Sequence, residues 1–281
     1  MKCAWKAFLN LLPPRLKNES EIIGYDILLE LRLRCGQAPE FVTTDGSVWP
    51  DLLITKEDIH FVINIASQYS AWASSTAAEG FITALGGHRI GLCGQMAVNH
   101  GVVNGVRNPT SLCIRISKEI SGIADNASHL QGSVLILGRP GSGKTTLLRD
   151  MIRQRSQNSH ITVIDSREEL FPIYNGSFCF DPGLRTDVIS CCSKSHGIDI
   201  AIRCMNPDYI AVDEITADND CHSLINAGWC GVSLLATAHA SSIDDLYSRP
   251  IYRPLVDNML FENIIVMRPD RTWHTERIKL C

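Results

Sequence analysis

A chain of 281 residues that is 45% hydrophobic and 20% charged holds enough apolar material for one large core or two modest ones, which excludes wholesale disorder. Its formal net charge of -4 argues against a broadly basic surface for holding nucleic acid. No stretch approaches the ~18 consecutive apolar residues of a membrane-spanning helix, so no direct span is expected and any membrane attachment runs through a partner or a surface helix.

The start, Met1 to Lys17, carries Trp5, Phe8, Leu9 and Leu12 at helical spacing beside Lys2, Lys6, Arg15 and Lys17. Such a helix either docks on its own domain or lies on a membrane or partner surface. From Ile27 to Arg34, the residues Ile27, Leu29, Leu31 and Leu33 alternate with Leu28, Glu30, Arg32 and Arg34, the period of a strand with one buried face. Phe41-Val42-Thr43 is a second short strand, and Asp45-Gly46 signals a hairpin. Thr55 and Asp58 form a capping box ahead of a helix near 56–69, and Ala71 to Glu79 is helical in composition. Gly86-Gly87 turns one short strand into the next, His88 to Cys93, and residues 111–117 alternate again. The eleven cysteines show no paired spacing for zinc, and with no cleavable leader they are expected as reduced thiols in a cytoplasmic protein.

These elements make a mixed α+β domain over residues 1–122, with a polar, turn-prone linker at 123–131. From 132 to 281 apolar strands alternate with helices: Val134 to Leu137, Ile161 to Ile164, Tyr209 to Val212 and Ser233 to Thr237 are continuous apolar runs. Strands of that kind are covered on both faces in a doubly wound α/β core.

Directly after the first of these strands stands Gly138-Arg139-Pro140-Gly141-Ser142-Gly143-Lys144-Thr145, a full match to the phosphate-binding pattern GxxxxGK[ST], with Thr146 next in the following helix. Its glycines let main-chain N–H groups wrap a phosphate at the positive end of a helix; Lys144 reaches the outer phosphates of ATP, and Thr145 offers a hydroxyl to Mg²⁺. Asp213-Glu214 closes the strand Tyr209 to Val212, where Asp213 would hold the magnesium shell and Glu214 would polarise the attacking water. Asp165, with Glu168 and Glu169, closes another strand and either serves the site or caps the next segment. His239 closes the strand that begins at Ser233, a position near the γ-phosphate if that strand is central. No guanine-reading Asn/Thr-Lys-x-Asp stands late in the chain, which disfavours a GTPase.

The order of phosphate loop, Asp165 segment, Asp213-Glu214 and His239 in Leu-Leu-Ala-Thr-Ala-His-Ala resembles the type II/IV secretion and pilus-retraction ATPases, with their Walker A, Asp, Walker B and His boxes. The stretches Glu30 to Pro39, Gly86 to Gly94 and Asn206-Pro207-Asp208 look like the stage III sporulation AA family, the sporulation branch of that group. The resemblance implies a RecA-like P-loop ATPase domain preceded by a smaller α+β domain, six subunits in a ring, and N-domain arginines reaching the phosphates. Arg89 and Arg115 stand in the matching region, as does Arg107, while Arg185 and Arg203 are candidates across a subunit interface. It also implies a cytoplasmic, membrane-peripheral place on the mother-cell side, membrane-embedded partners of a sporulation transport complex, and no nucleic acid. Two departures stand out: these ATPases commonly have Gly before the Walker B Glu where this chain has Asp213, and the segment Asp165 to Glu169 aligns only with a shift, which leaves its working acid open. Two other readings compete with a motor: a nucleotide-binding assembly scaffold with little turnover, and a RecA-like DNA motor marked by salt-sensitive DNA binding.

Overall fold

The alternating stretch that begins at Ile27 folds as strand β1 (Leu28–Arg34), yet its buried side chains are Leu28, Leu31 and Leu33. A bulge between Leu28 and Glu30 inserts one residue against the neighbouring strand. Because strand side chains alternate with period two, that residue moves the first part of β1 to the other face and leaves Ile27 exposed. The computed structural model describes residues 2–68, 80–99, 102–174 and 177–276. The expected helix at Ala71 to Glu79 lies outside them.

β2 (Glu40–Thr43) and β3 (Gly46–Val48) follow, with Thr43 opposite Gly46, so the tight turn is Thr44-Asp45 and Gly46 opens the returning strand. The Thr55 hydroxyl accepts the Asp58 amide at 3.3 Å while the Asp58 carboxylate accepts the Thr55 amide at 2.7 Å, the reciprocal box that starts helix Lys56–Gln68. β4 (Phe81–Ala84) turns through Gly86 and Gly87, at φ +84° and +75°, into β5 (His88–Asn99), which pairs with β6 (Val102–Arg115). The six strands form one antiparallel sheet in the order β3-β2-β1-β6-β5-β4. β5 and β6 run far beyond the expected segments, since past Cys93 and Ser111 they pair only with each other as an arm. That arm was illegible because its faces are solvated and carry no apolar alternation; Met96 and Val98 are exposed.

Helices Lys2–Asn10 and Pro14–Ile23 place Phe8, Leu9, Leu12 and Leu16 in the core against this sheet, so the amphipathic start docks on its own unit. His88 is wholly buried there: its Nδ1 accepts the Ser117 amide at 3.1 Å and its Nε2 donates to the Ala4 carbonyl at 2.8 Å. Acceptance at Nδ1 requires the neutral ring, and burial lowers its pKa from 6.5 to about 4 against the opposing pull of the Ala4 carbonyl. A depressed folded pKa contributes stability that is full above the unfolded value and lost as pH falls through the folded one. The first unit is therefore expected to lose about 3 kcal/mol between pH 6.5 and 4, and His88→Gln to flatten that slope. Denaturant titrations of both proteins across this range check it.

The second unit is built on a sheet of seven strands in the order β11-β8-β12-β13-β7-β14-β15. In chain order they are β7 (Val134–Leu137), β8 (Ile161–Asp165), β11 (Thr186–Ser190), β12 (Tyr209–Val212), β13 (Ser233–Ala238), β14 (Asn263–Met267) and β15 (Trp273–Glu276). All neighbours are parallel except β14 with β15. The short hairpin β9 (Ile173–Tyr174) and β10 (Ser177–Phe178) sits in the segment Pro172–Phe180, which groups with Met1–Glu119 as the first unit. Ile120–Phe171 and Asp181–Cys281 form the second.

Residues 123–131, expected as a linker, are packed into this second unit. Ala124, Ala127 and Leu130, three residues apart, bury one face, while the polar neighbours that suggested a linker stand on the other. The Ala124 amide donates to the buried Asp150 carboxylate at 2.9 Å.

Candidate functional site

β7 ends in the buried Leu137, and after six intervening residues helix Lys144–Arg155 begins. The loop between them turns at Gly141 and Gly143, with φ of +77° and +97°, a region costly for any side chain with a Cβ. A Cβ on Gly138 would meet Ser142 Oγ at 2.5 Å and Met267 Cβ at 2.9 Å, so the backbone there has no room for one. Among the described residues the buried Ser142 hydroxyl has no partner and the Gly141 and Gly143 amides find no acceptor. Unsatisfied donors around a helix N-terminus fit a phosphate.

Lys144 is only 6% exposed. Its Nζ donates to the Arg139 carbonyl at 3.0 Å and to His239 Nδ1 at 3.3 Å. Burial lowers the ammonium's pKa against the opposing pull of Asp213 and Glu214.

β12 and β13 bring the other polar groups to the same end of the sheet as the loop. Thr145 Oγ1 donates to Asp213 Oδ2 at 2.8 Å, and Thr237 Oγ1 donates to Asp213 Oδ1 at 2.6 Å. The Thr237 hydroxyl also accepts the Glu214 amide at 2.8 Å. Glu214 itself sits at φ +57°, a left-handed conformation uncommon outside glycine that fixes where its side chain starts. One carboxylate oxygen of Glu214 accepts from His239 Nε2, and the other accepts from Arg167 at 2.6 Å. Since Nδ1 of His239 faces an ammonium, the ring proton lies on Nε2. Burial alone would raise the Glu214 pKa, but the His239 bond and the Arg167 charge outweigh it and hold the carboxyl below its ordinary range. Tyr252 supports this corner: its hydroxyl accepts the His239 amide at 3.3 Å and donates to the Ile215 carbonyl at 3.2 Å.

Asp165, at the end of β8, is 2% exposed. Its carboxylate accepts three main-chain amides of its own loop, Glu169 at 2.8 Å, Leu170 at 3.0 Å and Phe171 at 2.8 Å. Burial pushes its pKa up to about 6 against those bonds, with the nearby Asp213 adding to the rise. Arg149, on the helix that begins at Lys144, donates to the carbonyls of Leu170 and Glu169 at 2.8 Å each and ties the loop from the other side. Burial raises the Glu168 pKa, against an opposing pull from the Cys191 thiol. The side chain of this loop that does reach Glu214 is Arg167, which sequence reasoning passed over together with Thr237 and Tyr252.

In the first unit Arg89 and Arg115 stand directly opposite each other on β5 and β6. The Arg89 guanidinium stacks 4.0 Å over the Phe81 ring, while Arg115 is 70% exposed and 3.8 Å from Glu30. Arg107 is exposed on the arm. Arg185 donates to the Asn158 carbonyl at 3.1 Å, and Arg203 lies 3.9 Å from Asp199 on its own helical segment.

The family model described as sporulation stage III, protein AA, matches residues 7–276. Stage III sporulation protein AA of Bacillus subtilis (strain 168) is 32% identical over 269 residues, covering 90% of this chain and 88% of that protein. Protein SEEDLING PLASTID DEVELOPMENT 1 of Arabidopsis thaliana is 24% identical over 260 residues, 89% of this chain but 36% of that one. Among solved structures, the pilus retraction motor PilT with bound ADP shares the fold at a TM-score of 0.59 and 16% identity, covering 90% of this chain and 77% of its own. The Legionella pneumophila ATPase DotB does so at 0.54 and 15%, covering 94% and 78%. These likenesses establish a RecA-like P-loop fold behind an α+β unit.

Proposed function

The chain belongs to the sporulation stage III protein AA family, and from that premise we propose that it is an ATP-hydrolysing subunit of a ring motor that energises a membrane-associated transport apparatus during sporulation. The observation that carries this reading is the convergence of Lys144, Thr145, Asp213, Glu214 and His239 on one end of the sheet, from a phosphate loop and two neighbouring strands. Lys144, whose Nζ bonds to a carbonyl and an imidazole, turns to the outer phosphates of ATP. Thr145 and Asp213, already bonded to each other, are the groups that would hold Mg²⁺, which supplies charge neutralisation on the phosphates. Glu214 takes the proton of the attacking water, and His239 orients its carboxylate. Asp165 anchors the loop beside them and leaves the chemistry to Glu214.

The ring is proposed as a hexamer in which Arg89 and Arg115 contact the phosphates of a neighbouring subunit. No described helix is long and apolar enough to cross a membrane, so the partners are proposed as membrane-embedded proteins that the ring meets peripherally, on the mother-cell side. Phosphate release by the wild type, compared with Lys144→Ala, tests the reading together with the oligomer mass with and without ATP and Mg²⁺. Equal turnover in the two proteins leaves only a scaffold. A monomer under every condition removes the arginines from the site.

A further inference from the structure

Resting on the reading of Gly138 to Thr145 as the cradle of ATP, we propose that Met267 and Trp273, side by side on β14 and β15, form the wall against which the base of the nucleotide packs. The direction in which the nucleotide lies follows from the order of the strands. β7, which feeds the phosphate loop, runs between β13 and β14. The side chains that meet Lys144 and Thr145 from other strands, His239 and Asp213, both stand on the β13 flank, His239 after β13 itself and Asp213 after β12. The outer phosphates and Mg²⁺ belong on that flank. A nucleotide is an extended chain whose nucleoside lies at the opposite end from its γ-phosphate, so the nucleoside leaves the loop over the other flank, which is β14.

The pairing of Val266 with Leu137 sets Met267 beside Gly138. Ile264 and Val266 belong to the core packed on one face of the sheet, so Met267, out of phase with them, lies on the other. Its Cβ would be met at 2.9 Å by a Cβ on Gly138, and its Cε at 3.5 Å by one on Gly143, so the thioether runs along the backbone of the loop. Trp273 stands directly opposite Met267 on β15, and opposite residues of an antiparallel pair share a face. Met267 is 7% exposed, whereas Trp273 is half-buried and keeps part of its surface open. Among the described residues no hydrogen bond or ring contact engages its indole. The turn that joins the two is held from within: the Arg268 amide donates to the Thr272 carbonyl at 2.8 Å, the Arg271 amide to the Arg268 carbonyl at 3.0 Å, and Asp270 accepts the amide and the hydroxyl of Thr272 at 3.0 and 2.7 Å. A flat π face and a polarisable thioether, fixed beside an anion cradle, suit a purine, whose own faces are flat and apolar.

The test is calorimetric titration of the full chain with ADP and with inorganic pyrophosphate, which fills the loop without a base, for the wild type, Trp273→Ala and Trp273→Phe. Trp273→Ala is expected to weaken ADP binding about tenfold or more and to leave pyrophosphate binding unchanged, while Trp273→Phe keeps an aromatic face and retains most of the ADP affinity. ADP should also quench part of the tryptophan fluorescence of the wild type, and Trp273→Phe should lose that quench although it still binds. ADP affinity in Trp273→Ala equal to that of the wild type overturns the proposal, as does a parallel loss of pyrophosphate binding or a quench that persists in Trp273→Phe. ADP binding that depends on Lys144 and not on Trp273 removes this inference alone. A wild type that binds neither ADP nor ATP removes the reading beneath it as well.

Discussion

Glu214→Gln is expected to lower kcat for ATP hydrolysis by about three orders of magnitude while ATP affinity stays within a few-fold of the wild type. The change is nearly isosteric, so the left-handed backbone at this position and the amide bond to Thr237 persist. What is lost is the negative charge and the proton-accepting oxygen beside His239. The proposed nucleotide cradle consists of other residues, Gly138 to Thr145, whose described side-chain bonds do not involve Glu214. The effect therefore belongs in kcat and not in binding. Single-turnover phosphate release together with calorimetric titration of ATP separates the two, and equal losses in both would assign Glu214 to binding.

Asp165→Ala should destabilise the second unit by about 3 kcal/mol at neutral pH. Three buried amides lose their acceptor, each worth roughly 1–3 kcal/mol when left unsatisfied, and the relief from holding an ionised carboxylate in a buried place offsets part of that. The offset follows from linkage. With its pKa raised from 3.8 to about 6, Asp165 contributes stability that is fully present below the unfolded value and is lost as pH rises through the folded one. The second unit's dependence on this residue thus runs opposite to that of the first unit on His88. Thermal unfolding of wild type and Asp165→Ala at pH 5 and pH 8 reads both the size of the loss and its sign: the penalty of the substitution should be larger at pH 5. An equal or reversed difference would mean that Asp165 is solvated in the native state.

Much of the core of the second unit was legible because its signals are local. The runs at Val134, Ile161, Tyr209 and Ser233 all became parallel strands, since short, mainly apolar runs between turn signals have few other burials open to them. β14 was passed over although Ile264 to Met267 is as apolar as the others. In the first unit the alternation at Ile27 found a strand but misjudged which residues face inward, because a bulge is set by the partner strand and not by the strand's own sequence. The stretch 123–131 shows the same limit. Asp125, Asn126 and Ser128 have linker composition, yet burial of Ala124 and Ala127 depends on a surface supplied by helix Lys144–Arg155.

The glycine-rich loop between strand and helix, the acids at strand ends and the family were determined by the sequence alone, because a glycine spacing and a polar residue after an apolar run are local patterns of a few positions. Only the tertiary structure decided that Asp165 spends its carboxylate on amides of its own loop, and that Arg167, Thr237 and Tyr252 close around Asp213, Glu214 and His239. The contacts of Arg167, Thr237 and Tyr252 join residues from 13 to 47 positions apart in the chain. Their physical reason is the parallel order of β8, β12, β13 and β7 in the sheet, which brings distant strand ends together at one edge where no local pattern records their meeting.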